Sequence, residues 1–221
     1  MRDSYRFFAR FFAALLMLAM LAGLTPGRAQ ELKPIVLPKP QTEGGKPLMQ
    51  ALNERKSSRE FSAEKLPLQV LSNLLWAAWG VNRADGRRTA PSASNRQEIE
   101  IYVSMADGLY LYEAASHRLK PILAGDIRAK AGGQPFVAQA PVNLIYVADY
   151  AKMGNAEPEH KAVNAGTDTG FIGQNVYLFC ASEGLGTVFR GMVDREVLAK
   201  VMNLRPDQHI TNSQTVGYVK K

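Results

Sequence analysis

The hydrophobic period changes several times along the chain, and each change marks an element. In "PLMQALNER", residues 47–55, and again from Pro67 to Gly80, apolar positions recur at helical intervals. Leu68, Leu71, Leu74, Leu75 and Ala78 form one such stripe, with Pro67 suited to the first turn and Gly80 to the end. Past residue 97 the period drops to two. Ile99, Ile101 and Val103 alternate with Glu98, Glu100 and Tyr102, as in a strand with one buried face. Asp107-Gly108 turns that strand back into "LYLYEA", which predicts a hairpin. "PVNLIYVADY", from Pro141, is apolar enough for a central strand. Residues 167–183, "TDTGFIGQNVYLFCASE", predict a long helix, apolar nearly all round and therefore buried, capped by Gly184. "TVFRG" reads as a short strand, "DREVLAKVMNL" as a helix opening at Asp194, and "SQTVGYVKK" as a last strand. Helices and strands mix without regular alternation, so the fold class is α+β.

The start of the chain follows a different logic. Arg2, Arg6 and Arg10 precede the apolar run "FFAALLMLAMLAGL", and Gly27-Arg28-Ala29 offers a small-residue exit. This is the pattern of a secretory signal, residues 1–29, too short for a comfortable membrane span. The expectation is cleavage after Ala29, a periplasmic or secreted protein, and no membrane contact thereafter. Residues 30–45 carry three prolines and end in two glycines, which reads as an extended arm. Residues 46–221 then form one domain of ordinary size.

Charge and chemistry narrow the function. The chain carries a formal +7, but residues 1–29 hold four bases and one acid, leaving +4. That balance does not ask for a nucleic-acid partner, and Arg83, Arg87, Arg88 and Arg96 offer charge alone. Cys180, the single cysteine, sits in an apolar run and reads as a buried, inert thiol. His117, His160 and His209 stand apart, without ligands at metal spacing. Neither a nucleophile elbow nor a Walker A loop occurs. If the chain is an enzyme, a bound cofactor carries the hard chemistry.

Three stretches have the residue types to hold one. In "ERKSSREF", residues 54–61, Arg55, Lys56 and Arg59 surround Ser57 and Ser58, a set of charged and neutral donors suited to phosphate. In "GRRTAPSASNRQ", residues 86–97, Ala90, Pro91, Ser92, Ala93 and Ser94 are small enough for a planar ring to approach, and Asn95 can pair with ring carbonyl and imide groups. In "EGLGTVF", residues 183–189, Gly184 and Gly186 expose backbone N–H groups on either side of Leu185. Taken singly, each has a plain reading: a solvated charged turn, a long connection, a helix cap.

Together, in this order, the stretches resemble the nitroreductase-like flavoprotein family. That family shares an Arg-X-Ser-X-Arg segment, a Pro-Ser-Ala-Gly-Asn-like loop and a Gly-Leu-Gly after a long helix; here these are Arg55 to Arg59, Pro91 to Asn95, and Gly184 to Gly186. "DTGFIGQNVYLFCASEGLG" is similar to its central helix and "VGYVKK" to its closing strand, so the likeness runs from about Pro47 onward. "GRRTAPSASNRQEIEIYV" and "DGLYLYEAASHRL" look most like the SagB/ThcOx-type dehydrogenase-like branch, related to azoline-oxidising enzymes. No peptide-binding region and no Lys-Tyr pair of that branch is found, so azoline oxidation itself is not expected. The resemblance implies an antiparallel-rich central sheet flanked by helices, an interlocked homodimer, and FMN held between subunits. It implies that Arg55, Ser57 and Arg59, with Lys56 and Lys220 nearby, hold the phosphate and ribityl chain. Pro91, Ser92, Ala93, Ser94 and Asn95 line the ring from the partner chain, and Gly184, Leu185 and Gly186 place backbone donors at its N5 and O4 edge. Ser94 stands where the family has Gly. Two functions follow: an exported FMN-dependent oxidoreductase acting on a small molecule, or a non-catalytic module that carries flavin or has lost it.

Overall fold

Strand β5, Val142–Asp149, is buried at every residue, because strands flank it on both sides and helices cover both of its faces. The computed structural model describes residues 31–220, so the expected signal segment lies outside the described residues. The sheet has seven strands among them: β1 Ile35–Val36, β2 Ile99–Ser104, β3 Gly108–Glu113, β4 Arg118–Ala124, β5, β6 Gly186–Arg190 and β7 Gln208–Gly217. Their order is β1-β4-β3-β2-β5-β7-β6, and every pairing is antiparallel. The described α-helices are α1 Leu48–Glu54, α2 Leu68–Trp79, α3 Pro135–Gln139, α4 Pro158–Glu183 and α5 Arg195–Val201.

One face of the sheet, through Ile99, Ile101, Val103, Leu144 and Tyr146, packs on Leu71, Leu74, Leu75 and Ala78 of α2 and on Ile172, Val176 and Cys180 of α4. The other face, through Tyr102, Ile145, Val147 and Ile210, packs on Val137 of α3 and Leu198 of α5. Strand β2 is therefore buried on both faces, not one, because its alternate residue Tyr102 lies under the second layer. Cys180 is buried, which pushes its thiol pKa up and keeps it protonated.

Three elements depart from the pattern-based expectation. Strand β4 has no counterpart in it: its exposed Arg118 and Lys120 and its internal Pro121 hide a strand in which only Leu119 is buried. Helix α4 starts at Pro158, well before residue 167, since its first turns are polar. It is also buried along one stripe rather than all round, leaving Val163 and Phe171 exposed at 66% and 44%. The arm is strapped to the body. Its Ile35 and Val36 pair with Leu119 and Arg118, and the Pro38 carbonyl accepts from Ser72 Oγ at 2.6 Å. The Lys46 N–H reaches Ser182 Oγ at 2.8 Å.

Arg190 of β6 is a buried cation with neutral partners. It donates to the Ala131 carbonyl at 2.9 Å, Asn143 Oδ1 at 3.2 Å and Thr215 Oγ1 at 2.9 Å. Burial lowers its pKa to about 10, so it stays charged at neutral pH. Gly132 makes room for it, because a Cβ there would fall 1.8 Å from Nη1.

Candidate functional site

The segment after α1 is held by main-chain bonds to two other parts of the chain. The Ser58 N–H donates to the Thr187 carbonyl of β6 at 2.9 Å. On its other side, the Ser62 N–H donates to the Tyr218 carbonyl at 2.9 Å, and the Lys220 N–H to the Glu60 carbonyl at 3.2 Å. Phe61 is the buried pin of this junction, at 3% exposure, and forms a bridge with Val219. Gly186 is where the three strands of chain meet. A Cβ there would lie 2.8 Å from Val219 Cγ2, 3.0 Å from Ser58 Cβ and 3.3 Å from Phe61 Cε1. Its bare backbone is thus a packing requirement of the junction.

The consequence is a cluster of cations at one end of the sheet. Lys56, Ser57, Arg59 and Lys220 are exposed there, and Arg55 is half-buried. Arg55 lies over the ring of Tyr177 from α4, 5.0 Å from its centroid, which fixes the guanidinium by cation–π contact. The Tyr177 hydroxyl accepts from the Phe189 N–H at 3.0 Å and pairs with Ser57 Oγ at 2.8 Å. Gly184 is exposed, in the left-handed region at φ 69°, and caps α4. The Gly184 and Leu185 N–H groups both turn back to the Cys180 carbonyl rather than outward. Tyr177→Phe leaves the Phe189 N–H without an acceptor and Ser57 without a partner. It is expected to cost about 1 kcal/mol of stability, measurable by urea unfolding, with the Arg55 contact kept.

The loop carrying Pro91, Ser92, Ala93, Ser94 and Asn95 lies elsewhere. The Ala93 N–H donates to Asp168 Oδ2 on α4 at 2.8 Å. Asp168 and Gly184 are separated by about 24 Å of helix at the usual rise per residue. Within one chain, then, the first and third stretches come together and the second does not join them. The loop is backed by Gln97, whose N–H bonds Ser92 Oγ at 3.0 Å and whose side chain reaches Asn95 Oδ1 and the Gly86 carbonyl, each at 3.1 Å. Arg88 in turn donates to Gln97 Oε1 at 2.8 Å and lies over Trp79 at 5.3 Å. Burial lowers the Arg88 pKa. Arg88 is therefore an internal brace, whereas Arg87 is exposed and pairs with Asp85 at 2.5 Å. Ser94, Asn95 and Gln97 all have positive φ, at 54°, 53° and 51°, a conformation that costs non-glycine residues energy and is held here by these bonds.

The sequence pattern of the Nitroreductase family matches residues 52–218, which include Arg55 to Arg59, the loop and the α4 cap. This chain belongs to that family. A nitroreductase-family relative from Methanocaldococcus jannaschii is 32% identical over 168 residues, covering 72% of this chain and 85% of the relative. The crystal structure of a nitroreductase-type protein from Ralstonia eutropha superposes with a TM-score of 0.82 at 42% identity, over 86% of this chain and 91% of that one. A Desulfovibrio desulfuricans protein of the same type, solved in complex with FMN, shares the fold at a TM-score of 0.59 and 21% identity, over 80% of this chain and 89% of its own chain.

Sequence reasoning did not single out Tyr177, which sits in a helix read as uniformly apolar, nor Glu98 and Asp168. Glu98, just before β2, is fully buried, and Asp168 is 3% exposed. Among the described residues no group of three or more His, Cys, Asp or Glu could hold a metal ion, and no helix is long and apolar enough to cross a membrane.

Proposed function

We propose that this nitroreductase-family protein is an exported FMN-dependent oxidoreductase, working as a homodimer with flavin between the two chains. The observation that carries the reading is the division of the site. One chain gathers Arg55, Lys56, Ser57, Arg59 and Lys220 at one end of α4, while its loop of small residues stands far along the same helix. A second copy supplies the missing wall. Exposed Val163 and Phe171 give α4 an apolar outer face for that copy to cover.

The residues present suit FMN. Guanidinium forks and an ammonium match a phosphate, and a hydroxyl matches the ribityl chain. Because the Tyr177 oxygen accepts from the Phe189 N–H, its own proton is available to Ser57 Oγ. That arrangement leaves the Ser57 proton to be donated outward. Stacking on Tyr177 holds Arg55 in place before any anion arrives, which reduces the ordering cost of binding. Pro91, Ser92, Ala93 and Ser94 would present little bulk to a ring face, and the Asn95 amide would offer it polar groups. Bound FMN would supply hydride and electron transfer at its N5 between a donor and a small organic acceptor. The protein's own share is binding, orientation and exclusion of water. The loop sequence supports placement in the SagB/ThcOx-type dehydrogenase-like branch, and the leader pattern supports a periplasmic or secreted location.

Purified protein should be yellow, release FMN identifiable by mass, and run as a dimer in light scattering. A colourless protein that takes up no added FMN overturns the reading. Bound flavin that no reductant of the nicotinamide or quinol class can reduce would instead mark a flavin carrier.

A further inference from the structure

Glu98 and Asp168 form a buried pair of carboxyls behind the small-residue loop. Glu98 is 0% exposed, and neither of its side-chain oxygens receives a hydrogen bond from any described donor. The carboxyl of Asp168 on α4 faces it. Asp168 is itself engaged, accepting the Ala93 N–H at 2.8 Å. A buried carboxylate with no donor is costly, and two adjacent ones cannot both stay ionised. The arrangement is satisfied when Glu98 keeps its proton and donates it to Asp168, whose Oδ2 holds the Ala93 N–H.

We infer that Glu98 and Asp168 are positioning residues that share one proton and through it hold the Ala93 segment of the loop in its binding shape. The inference rests on the reading of that loop as a flavin wall. Ala93 lies between Ser92 and the strained Ser94 and Asn95, so its amide anchors the part of the loop that a ring would touch. On the opposite side the loop is braced by Gln97 and Arg88, which are not paired with the carboxyls. Releasing one anchor therefore changes the loop without unfolding the chain.

The charged groups bearing on Glu98 are few. Asp168 faces it from α4, and Arg96 lies two residues before it with only a weak opposing influence. Across the sheet, the Asp149 N–H bonds the Glu98 carbonyl, while the Asp149 carboxylate is turned to Arg205 at 2.9 Å and Lys152 at 3.8 Å. Desolvation and then the neighbouring Asp168 raise the Glu98 pKa to about 7. The sign follows. In the unfolded chain Glu98 ionises near its ordinary value of 4.5, so between there and about 7 the folded state holds the extra proton. Stability falls as pH rises through that window and levels off above about 7, where Glu98 is ionised in the folded chain as well and faces the second carboxyl as a like charge.

The test is amide hydrogen exchange at Ala93 in the purified, FMN-free protein from pH 5 to 8, expressed as protection relative to the free peptide. Wild-type protection should fall by up to about tenfold per pH unit between about pH 5 and 7 and level off above that. Glu98→Gln replaces the shared proton with a permanent neutral donor and should keep protection flat across the range. Asp168→Asn offers Glu98 an amide donor in place of the second carboxyl and should fall less steeply than wild type, since burial of Glu98 remains. A flat wild-type profile, or an equal fall in Glu98→Gln, overturns the inference. FMN titration of the same proteins separates it from the functional reading. Wild-type affinity should weaken between about pH 5 and 7 more than that of Glu98→Gln, with the difference excluding titration of the phosphate. Absence of FMN binding at every pH would sink the flavin reading while leaving the exchange result to judge the pair.

Discussion

Gly186→Ala is expected to destabilise the chain by about 1–3 kcal/mol and to strip it of flavin together. The added methyl would fall 2.8 Å from Val219 Cγ2 and 3.0 Å from Ser58 Cβ, closer than carbon atoms pack. Neither neighbour can yield at low cost. Ser58 is tied through its N–H to Thr187, and Val219 is flanked by the bonds from Ser62 to Tyr218 and from Lys220 to Glu60. The strain is relieved only by pushing the Arg55–Arg59 segment and the C-terminal segment off β6. Those are the segments that carry the cations. Urea unfolding of the FMN-free protein and retention of FMN through gel filtration should therefore fail together. An unchanged unfolding midpoint would show that the junction is looser than its contacts indicate.

Arg59→Ala should separate the two effects. Arg59 is exposed, so the unfolding midpoint should stay in place. FMN affinity should drop by about ten- to a hundredfold, the size expected for one charge-assisted bond to phosphate. Arg59→Lys should recover part of the loss, since an ammonium restores the charge but not the planar fork. Titration of FMN into the apoprotein reads the difference directly. Equal affinity in wild type and Arg59→Ala would move the phosphate elsewhere, and Lys220 would be the next residue to replace.

Much of the fold was legible because its elements carry their own end signals. Pro67 and Gly80 bracket α2, and Asp194 caps α5 by accepting the Val197 N–H. Asp107-Gly108 turns β2 into β3 as expected. Strand β4 was not legible, because an edge strand with charged outward residues and a proline has little hydrophobic signal. The site divided in the same way. Arg55, Ser57 and Arg59 announce themselves by composition, but the groups that hold them are ordinary in sequence. Tyr177 looks like one more apolar helix residue. Glu98 looks like the solvent side of an alternating strand until the second carboxyl is seen behind it. Arg88, adjacent to Arg87 and identical to it in type, turns inward to Trp79 and Gln97 while Arg87 faces out. Burial, which no local pattern records, separates the two.

The distance along α4 between Asp168 and Gly184 has a genetic consequence. In a homodimer that shares its sites, the cradle of each site comes from one chain and the wall from the other. Arg59→Ala damages the first and Asp168→Ala the second. A mixed dimer of the two variants places both lesions in one site and leaves the other with wild-type residues throughout. Two chains that each hold flavin poorly would thus complement each other when mixed, and the hybrid would regain one full-affinity site per dimer.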